Sequence, residues 1–377
     1  MFRHRATVRG VLCPAGRATR VLLAAIVVLT WLVAAQAVAA PSYRLIDLGT
    51  CTAANDGAQD ITENGLVGLP QNVRAYVWND GTLNPQGGVH NGNSQVRIND
   101  LGHIAGADNL RAYIWRDGVT TSLGTLEGGY TFASGINDSD QVVGTSYCDS
   151  ILRYRGFLWQ NGTMVDIGGF LSNGETRPMD INNAGQIVGS SDAFTSGGTA
   201  IYEQPFIYKN SAMTQLPILP GYVRGTAESI SPAGNIAGTC YDQYMFYGQA
   251  MAWIGGQSYN LGLLPGQPSA WASGINDLGQ VVGSTGHNSS SLGPAFLWDS
   301  GQMYDVNTLI LNHAGYQVTE AYSINNAREI VGTSTYAGQT HAVLLMPVPE
   351  PSTLVLLGLA TISDCLAHAW QRRTKAS

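Results

Sequence analysis

Residues 275–283 read Ile275-Asn276-Asp277-Leu278-Gly279-Gln280-Val281-Val282-Gly283, and the chain writes this phrase repeatedly. Close copies start at Ile98, Ile136, Ile181, Ile230 and Ile324. A copy one residue shorter, Ile61-Thr62-Glu63-Asn64-Gly65-Leu66-Val67-Gly68, comes first. Subtracting residue numbers, the isoleucines are 37, 38, 45, 49, 45 and 49 residues apart. Self-similarity at such a period is the mark of a repeat architecture. Within the phrase, Asn-Asp-x-Gly is a tight turn, since Asn and Asp tolerate unusual backbone angles and Gly takes positive φ. The β-branched pair before the last glycine suits a buried strand.

Each unit has a second half. Arg155-Gly156-Phe157-Leu158-Trp159-Gln160-Asn161-Gly162 is followed by Thr163-Met164-Val165-Asp166-Ile167-Gly168-Gly169. Ala75-Tyr76-Val77-Trp78, Ala112-Tyr113-Ile114-Trp115, Pro205-Phe206-Ile207-Tyr208, Ala252-Trp253 and Ala295-Phe296-Leu297-Trp298 match it. Trp-Gln-Asn-Gly is a second hairpin signal. The unit therefore reads strand, turn, strand, loop, strand, turn, strand, which is the size of a propeller blade. The expected fold is all-β, a seven-bladed β-propeller of four-stranded units. An open β-solenoid is the alternative, but unit lengths that vary by a dozen residues do not let coils stack in register.

The two ends of the body fit a closed ring. The last unit stops at His341-Ala342-Val343-Leu344-Leu345-Met346, one strand short. Tyr43-Arg44-Leu45-Ile46-Asp47-Leu48-Gly49-Thr50 resembles the fourth strand seen at residues 164–168. The N-terminal strand is expected to complete the last blade, which removes the exposed sheet edges.

Outside this body lie two targeting segments. Residues 1–39 have a signal-peptide layout: Arg3, Arg5, Arg9, Arg17 and Arg20, then an apolar run Val21–Val33, then Ala37-Val38-Ala39 before the cut. Residues 40–346 form the repeat body and 347–377 the tail. The tail reads Pro349-Glu350-Pro351-Ser352, an apolar stretch from Thr353 to Ser363, and Arg372-Arg373. Asp364, Cys365 and His368 interrupt the apolar stretch, which is shorter than the roughly 20 residues of a spanning helix.

Residues 41–348 carry 11 Lys+Arg and 24 Asp+Glu, a formal charge of 11 − 24 = −13. Nucleic-acid binding needs clustered cations, so that class is excluded. Cys51, Cys148 and Cys240 are far apart, with no CxxC pair for zinc. One disulfide and one free thiol are compatible with this set, without fixing the pair.

The search for chemistry finds little. His90, His103, His287, His313 and His341 lack the spacing of metal ligands, and each reads as a loop or surface residue. No nucleophile elbow or phosphate loop occurs. Asp100, Asp138 and Asp277 recur in the turn, but Asn183, Asn326 and Pro232 replace them elsewhere, which fits capping better than calcium or sugar binding. The segments between second and third strands vary most: Tyr147-Cys148-Asp149-Ser150, Ser191 to Gln204, and Cys240 to Tyr247. Aromatics beside acids there make a glycan-stacking or protein-contact surface. The candidate binding residues are Tyr147, Asp149, Tyr241, Asp242, Tyr244 and Tyr247. No catalytic residue, metal or cofactor is expected.

Two resemblances follow from these residues. The Ile-Asn-Asp-x-Gly-Gln-Val-Val-Gly half, with His341-Ala342, resembles the HAF family of probable extracellular repeat proteins over residues 43–346. The tail, through Pro349, Glu350, Pro351, Arg372 and Arg373, resembles the PEP-CTERM sorting signal. The resemblances imply signal peptidase and an exosortase as processing partners. They also imply passing insertion of the tail in the inner membrane, and placement on the surface or in the matrix of a Gram-negative bacterium. The expected function is a non-enzymatic surface or matrix protein binding exopolysaccharide or envelope proteins. The opposing expectation is a polysaccharide-acting glycosidase or lyase, which needs two opposed carboxylates in the central channel.

Overall fold

The computed structural model describes residues 40–349, apart from 52–56, 72–73, 80, 90–95, 195–200, 245–246 and 289–290. Residues 1–39, read from the sequence as a leader, together with His90 and the tail residues Glu350, Pro351, Arg372 and Arg373, lie outside the described residues. The strands form seven antiparallel sheets, arranged as a seven-bladed propeller. In blades one to six the four blade strands follow one another in chain order from the inside outwards, in hairpins, and in blade seven the fourth strand comes from the N-terminal end of the body. The inner strands are Asp60–Ile61, Arg97–Ile98, Thr131–Ile136, Thr176–Ile181, Arg224–Ile230, Ala270–Ile275 and Gln317–Ile324, and they line a central channel. The sixth blade has an extra short strand, Ser291–Leu292, on its second strand. The one helical segment among the described residues is the 3-10 turn Val306–Leu309.

The seventh blade closes as the sequence leads one to expect. Its outer strand is the N-terminal segment Tyr43–Thr50, antiparallel to Gln339–Pro347, with Tyr43 opposite Pro347 and Thr50 opposite His341. Tyr43 and Leu45 bury against the sixth blade, among Leu297, Val306 and Val318. Leu48 buries on the other side, among Ile61, Val67 and Leu344. One strand thus ties the last blade to both neighbours. Burial of three such side chains contributes roughly 1.5–3 kcal/mol each.

The repeated phrase is explained atom by atom. Its asparagine is buried and does two jobs. In Asn276, Oδ1 accepts the amides of Leu278 (3.1 Å) and Gln280 (3.0 Å), which holds its own turn. Its Nδ2 donates to the Asn325 carbonyl of the next blade, 3.0 Å away. The same outward bond runs from Asn99 to Asn137 O, from Asn137 to Asn182 O, from Asn182 to Ser231 O and from Asn325 to Thr62 O. The last of these joins blade seven to blade one. In blade five Ser231 holds the asparagine position, and Asn235 supplies the donor instead, to Asn276 O at 3.4 Å. The glutamine four residues on accepts from Nδ2 in three blades, at Gln141, Gln186 and Gln280, and so completes the amide's bonding.

The final glycine of the phrase is dictated by a bulge. The inner strand shifts register between Ala272 and Gly274, between Pro178 and Asp180, and at three equivalent places. A Cβ on Gly283 would sit 2.0 Å from the Trp271 carbonyl, and one on Gly332 1.9 Å from the Glu320 carbonyl. No side chain fits there.

Candidate functional site

The strand directions define two ends. The hairpin turns of the repeated phrase gather at one, the motif end. The hairpins between second and third strands, and the links between blades, gather at the other, the loop end.

At the motif end the channel holds a polar cavity of about 150 Å3. The bulges set its chemistry, because they turn two consecutive side chains inward, as at Glu228-Ser229 and Tyr322-Ser323. Asp60, Asp180 and Glu228 converge on it with Arg97. Asp60 accepts from the Ile61 amide (3.0 Å), the Ile98 amide of the next blade (3.1 Å) and Ser323 Oγ (3.3 Å). Asp180 accepts likewise from the amides of Ile181 (2.8 Å) and Ile230 (2.9 Å), and from Ser229 Oγ (3.3 Å). Arg97 Nε donates to the Ser134 carbonyl at 2.8 Å. Burial pushes the Asp180 carboxyl up to about 6, with the nearby Asp60 adding and the Ile230 amide and Arg97 opposing. Burial also raises Asp60, against Arg97 and its amide donors. Glu228 is raised by burial too, against the Thr226 hydroxyl and Arg97. Carboxylates from opposite sides of the ring therefore do meet in the channel, a convergence invisible in the linear sequence.

The turn aspartates have a structural task. Asp138 accepts the Asp100 amide of the preceding blade at 2.9 Å, and Asp277 accepts the Ala233 amide at 2.7 Å. Asn183 and Asn326 do the same for Asp138 and Asp277, and Glu63 accepts the Asn326 amide at 2.9 Å. They cap the neighbouring blade's turn rather than their own. At the step from blade four to five Pro232 offers no acceptor side chain. Among the described residues no group of three or more His, Cys, Asp or Glu could hold a metal ion.

Two histidines differ from the surface role read from the sequence. His103 pairs through Nδ1 with Asp140 at 2.7 Å, across the contact of blades two and three. His341 is buried and pairs with Asp47 of the closing strand at 3.1 Å. Tyr316 Oη donates to the same carboxylate at 2.8 Å and stacks on Tyr336, ring centroids 4.3 Å apart. Burial pushes the Asp47 carboxyl up, but the Gly49 amide, Tyr316 and His341 outweigh it and hold it below the usual range.

At the loop end the candidate binding residues separate into two groups. Tyr147 and Asp149 belong to blade three, and Tyr241, Asp242, Tyr244 and Tyr247 to blade five. Tyr147 and Tyr241 are not loop residues: they end the strands Val142–Cys148 and Ile236–Tyr241. Burial and the neighbouring Glu228 push the Tyr241 hydroxyl up, so it looks inward rather than to a ligand. Asp149, Tyr244 and Tyr247 are exposed; Asp242 accepts the Tyr244 amide at 3.1 Å within its own loop. Cys51, Cys148 and Cys240 are free thiols, so no disulfide links these three residues.

The sequence reading missed a line of contacts at this end. Tyr130, in the link into blade three, lies 6.4 Å from Tyr147, which meets Tyr154 edge-on at 5.2 Å. Arg177 of blade four lies over Tyr154 at 5.8 Å, and pairs with Glu203 at 2.8 Å and with Glu175. Tyr202, next to Glu203, carries Arg224 of blade five over its ring at 4.3 Å.

Comparison with known proteins adds the tail and the scaffold. Residues 347–373 match the PEP-CTERM protein-sorting motif. That motif is a sorting signal processed by exosortase and implies an exported protein. No curated protein matches the chain. Among solved structures, the extracellular domain of a hybrid two component system from B. thetaiotaomicron is similar at 10% identity and a TM-score of 0.50. The match covers 82% of this chain and 40% of that one. TolB from Acinetobacter baumannii matches at 10% identity and a TM-score of 0.41, over 82% of this chain and 63% of that one. A gluconolactonase from Xanthomonas campestris matches at 12% and 0.41, over 83% and 99%. At such identities the likeness is one of fold alone. Among the described residues no helix is long and apolar enough to cross a membrane.

Proposed function

We propose that the chain is an exported HAF-type propeller that is released from its leader and sorting tail and acts as a non-enzymatic component of the cell surface or matrix, binding polysaccharide or envelope proteins at its loop end. One observation carries this reading: a sorting motif at 347–373 follows a body whose exposed aromatics gather at a single end. Among the described residues, Tyr130, Phe194, Tyr244, Tyr247 and Tyr336 are all at the loop end, whereas Tyr259 alone of the prominently exposed aromatics starts from the motif end. Exposed aromatic groups on the loops of a rigid scaffold are typical of contact surfaces. The partners in processing are signal peptidase and an exosortase, and the tail occupies the inner membrane only in passing. Intact mass and fractionation from a Gram-negative host that carries an exosortase test this. A mass lacking both ends, found in the outer or extracellular fraction, supports it. An intact C-terminus held in the inner membrane contradicts it.

A second reading, a polysaccharide-acting hydrolase or lyase, is favoured by the meeting of Asp60, Asp180 and Glu228 in the channel. Weighing against it, Asp60 and Asp180 already accept amide and hydroxyl hydrogens from neighbouring blades. Turnover of a polysaccharide that vanishes in Asp180→Asn or Glu228→Gln, with folding intact, would establish the enzyme and end the binding-only reading.

A further inference from the structure

We infer that the loop end of blades three to five carries a binding site for an uncharged, extended polysaccharide, laid along Tyr130, Tyr147, Tyr154, Arg177, Tyr202 and Arg224. The inference deepens the surface-binding reading above and rests on it.

The line crosses three blades, and its one step without a side-chain contact is from Glu203 to Tyr202, neighbours in one strand that face opposite sides of blade four. Its links are the contacts already given, from Tyr130 and Tyr147 at 6.4 Å to Tyr202 and Arg224 at 4.3 Å. Each member lies at the loop end of its strand or in the link just before one. Arg177 and Arg224 start inner strands, Tyr154 and Tyr202 lie at the starts of third strands, and Tyr147 is near the end of a second. Tyr130 is half exposed, the Arg177 side chain is 40% exposed and the other four are half-buried, so the line is partly open to solvent.

The chemistry selects the occupant. A sugar ring offers an apolar C–H face and a rim of hydroxyls. Tyrosine rings supply rigid, amphipathic faces for the first. Guanidinium and carboxylate forks between them supply donors and acceptors for the second, and Arg177 is already oriented by stacking and by its glutamates. Charge along the line is balanced: Arg177 and Arg224 stand against Glu175 and Glu203. The body carries −13 overall by the count of residues 41–348, which repels polyanions. An uncharged chain fits both facts, and a line of rings and guanidinium groups drawn from three blades fits a chain rather than a single sugar.

The test is affinity electrophoresis of the mature protein in gels containing hydroxyethylcellulose, dextran or a β-1,3-glucan, with polygalacturonate as the anionic probe. At least one neutral polymer should retard the protein. Tyr130→Ala should weaken that retardation about tenfold or more, Tyr130→Trp should keep it, and Tyr259→Ala at the other end should leave it unchanged. An unaltered thermal melt in each variant separates loss of the platform from loss of fold. The inference is overturned if no neutral polymer retards the protein, if polygalacturonate is the polymer held, or if Tyr130→Ala binds as well as the parent. Loss confined to Tyr244→Ala or Tyr247→Ala would move the site to blade five; it would sink this line of residues and leave the surface-binding reading standing. Export and processing, read by mass and fractionation, are independent of all these outcomes.

Discussion

The two ends of this propeller are built on different rules. At the motif end, one phrase is spelled out in every blade, and its side chains are consumed in holding that blade's turn and gripping the next. Asn276 binds Leu278, Gln280 and Asn325, and Asp277 binds Ala233 and Asn326. At the loop end the links between blades keep a short turn, as at Asp47-Leu48-Gly49, Asp166-Ile167-Gly168 and Asn260-Leu261-Gly262, but the hairpins between second and third strands differ from blade to blade, and the exposed side chains at this end include Tyr130, Phe194, Tyr244, Tyr247 and Tyr336. The difference teaches where this fold has freedom. A change in the motif phrase breaks a contact between blades, whereas a change at an exposed loop-end side chain such as Tyr247 alters what the surface presents. Repetition therefore marks structure here, and variation marks the surface available for recognition.

The sharpest way to break the contrast is to attack closure. Removing residues 40–50 leaves the Gln339–Pro347 strand as an open edge and empties the sites of Tyr43, Leu45 and Leu48. With about 1.5–3 kcal/mol lost per side chain, a drop in melting temperature of more than about 10 °C is expected by scanning calorimetry. An unchanged melt would mean that blade seven does not need its fourth strand. Next in size is Asn276→Ala. It strips an interblade donor and orphans the buried Gln280 amide and the part-buried Leu278 amide, at a cost of about 3 kcal/mol. Tyr247→Ala at the loop end should stay within about 0.5 kcal/mol when both variants are unfolded by denaturant titration. Equal losses at the two positions would erase the distinction between the ends.

Much of this was legible before any coordinates. The interval between isoleucines gave the blade count, and the spare strand at Tyr43–Thr50 gave the closure, because both are local or repeated signals. What each motif residue touches was not legible. Asn99 and the Asn137 carbonyl are one blade apart in space but 38 residues apart in the chain. The channel acids were hidden for a different reason: the bulge breaks the two-residue alternation of the strand, so Glu228 turns inward with Ser229 beside it. At the loop end, Tyr147 and Tyr241 looked alike in sequence. One joins an aromatic line and the other is half-buried near Glu228, and only the folded blade decides which.

Acid sharpens the comparison further, because the two ends should respond with opposite sign. In the channel the Asp180 carboxyl is raised from 3.8 to about 6, chiefly by burial. The folded form thus holds its proton more tightly than the unfolded chain. The stability tied to that proton is fully present below the unfolded value near 4 and is lost as pH rises through about 6. The shift of two units corresponds to about 3 kcal/mol at most. Stability should climb as pH falls from 7 to 4, and Asp180→Asn should flatten that limb.

At the closing seam the sign reverses, and the effect is smaller because the Asp47 side chain is 34% exposed. Its carboxyl is held low by the Gly49 amide, Tyr316 and His341 against the upward push of burial. Its contribution is present above the unfolded value near 4 and is lost as pH falls through the lower folded value. The carboxylate also fixes its neighbours: the hydrogen bond from Tyr316 raises that hydroxyl to about 12. Below pH 4, then, the clasp on the N-terminal strand should loosen. Amide exchange at Leu45 and Gly49 should quicken in the parent between pH 4 and 3, beyond the intrinsic change in rate, while Asp47→Asn should show no such step. A step that persists in Asp47→Asn would assign the acid response to another group and leave the seam no different from the rest of the ring.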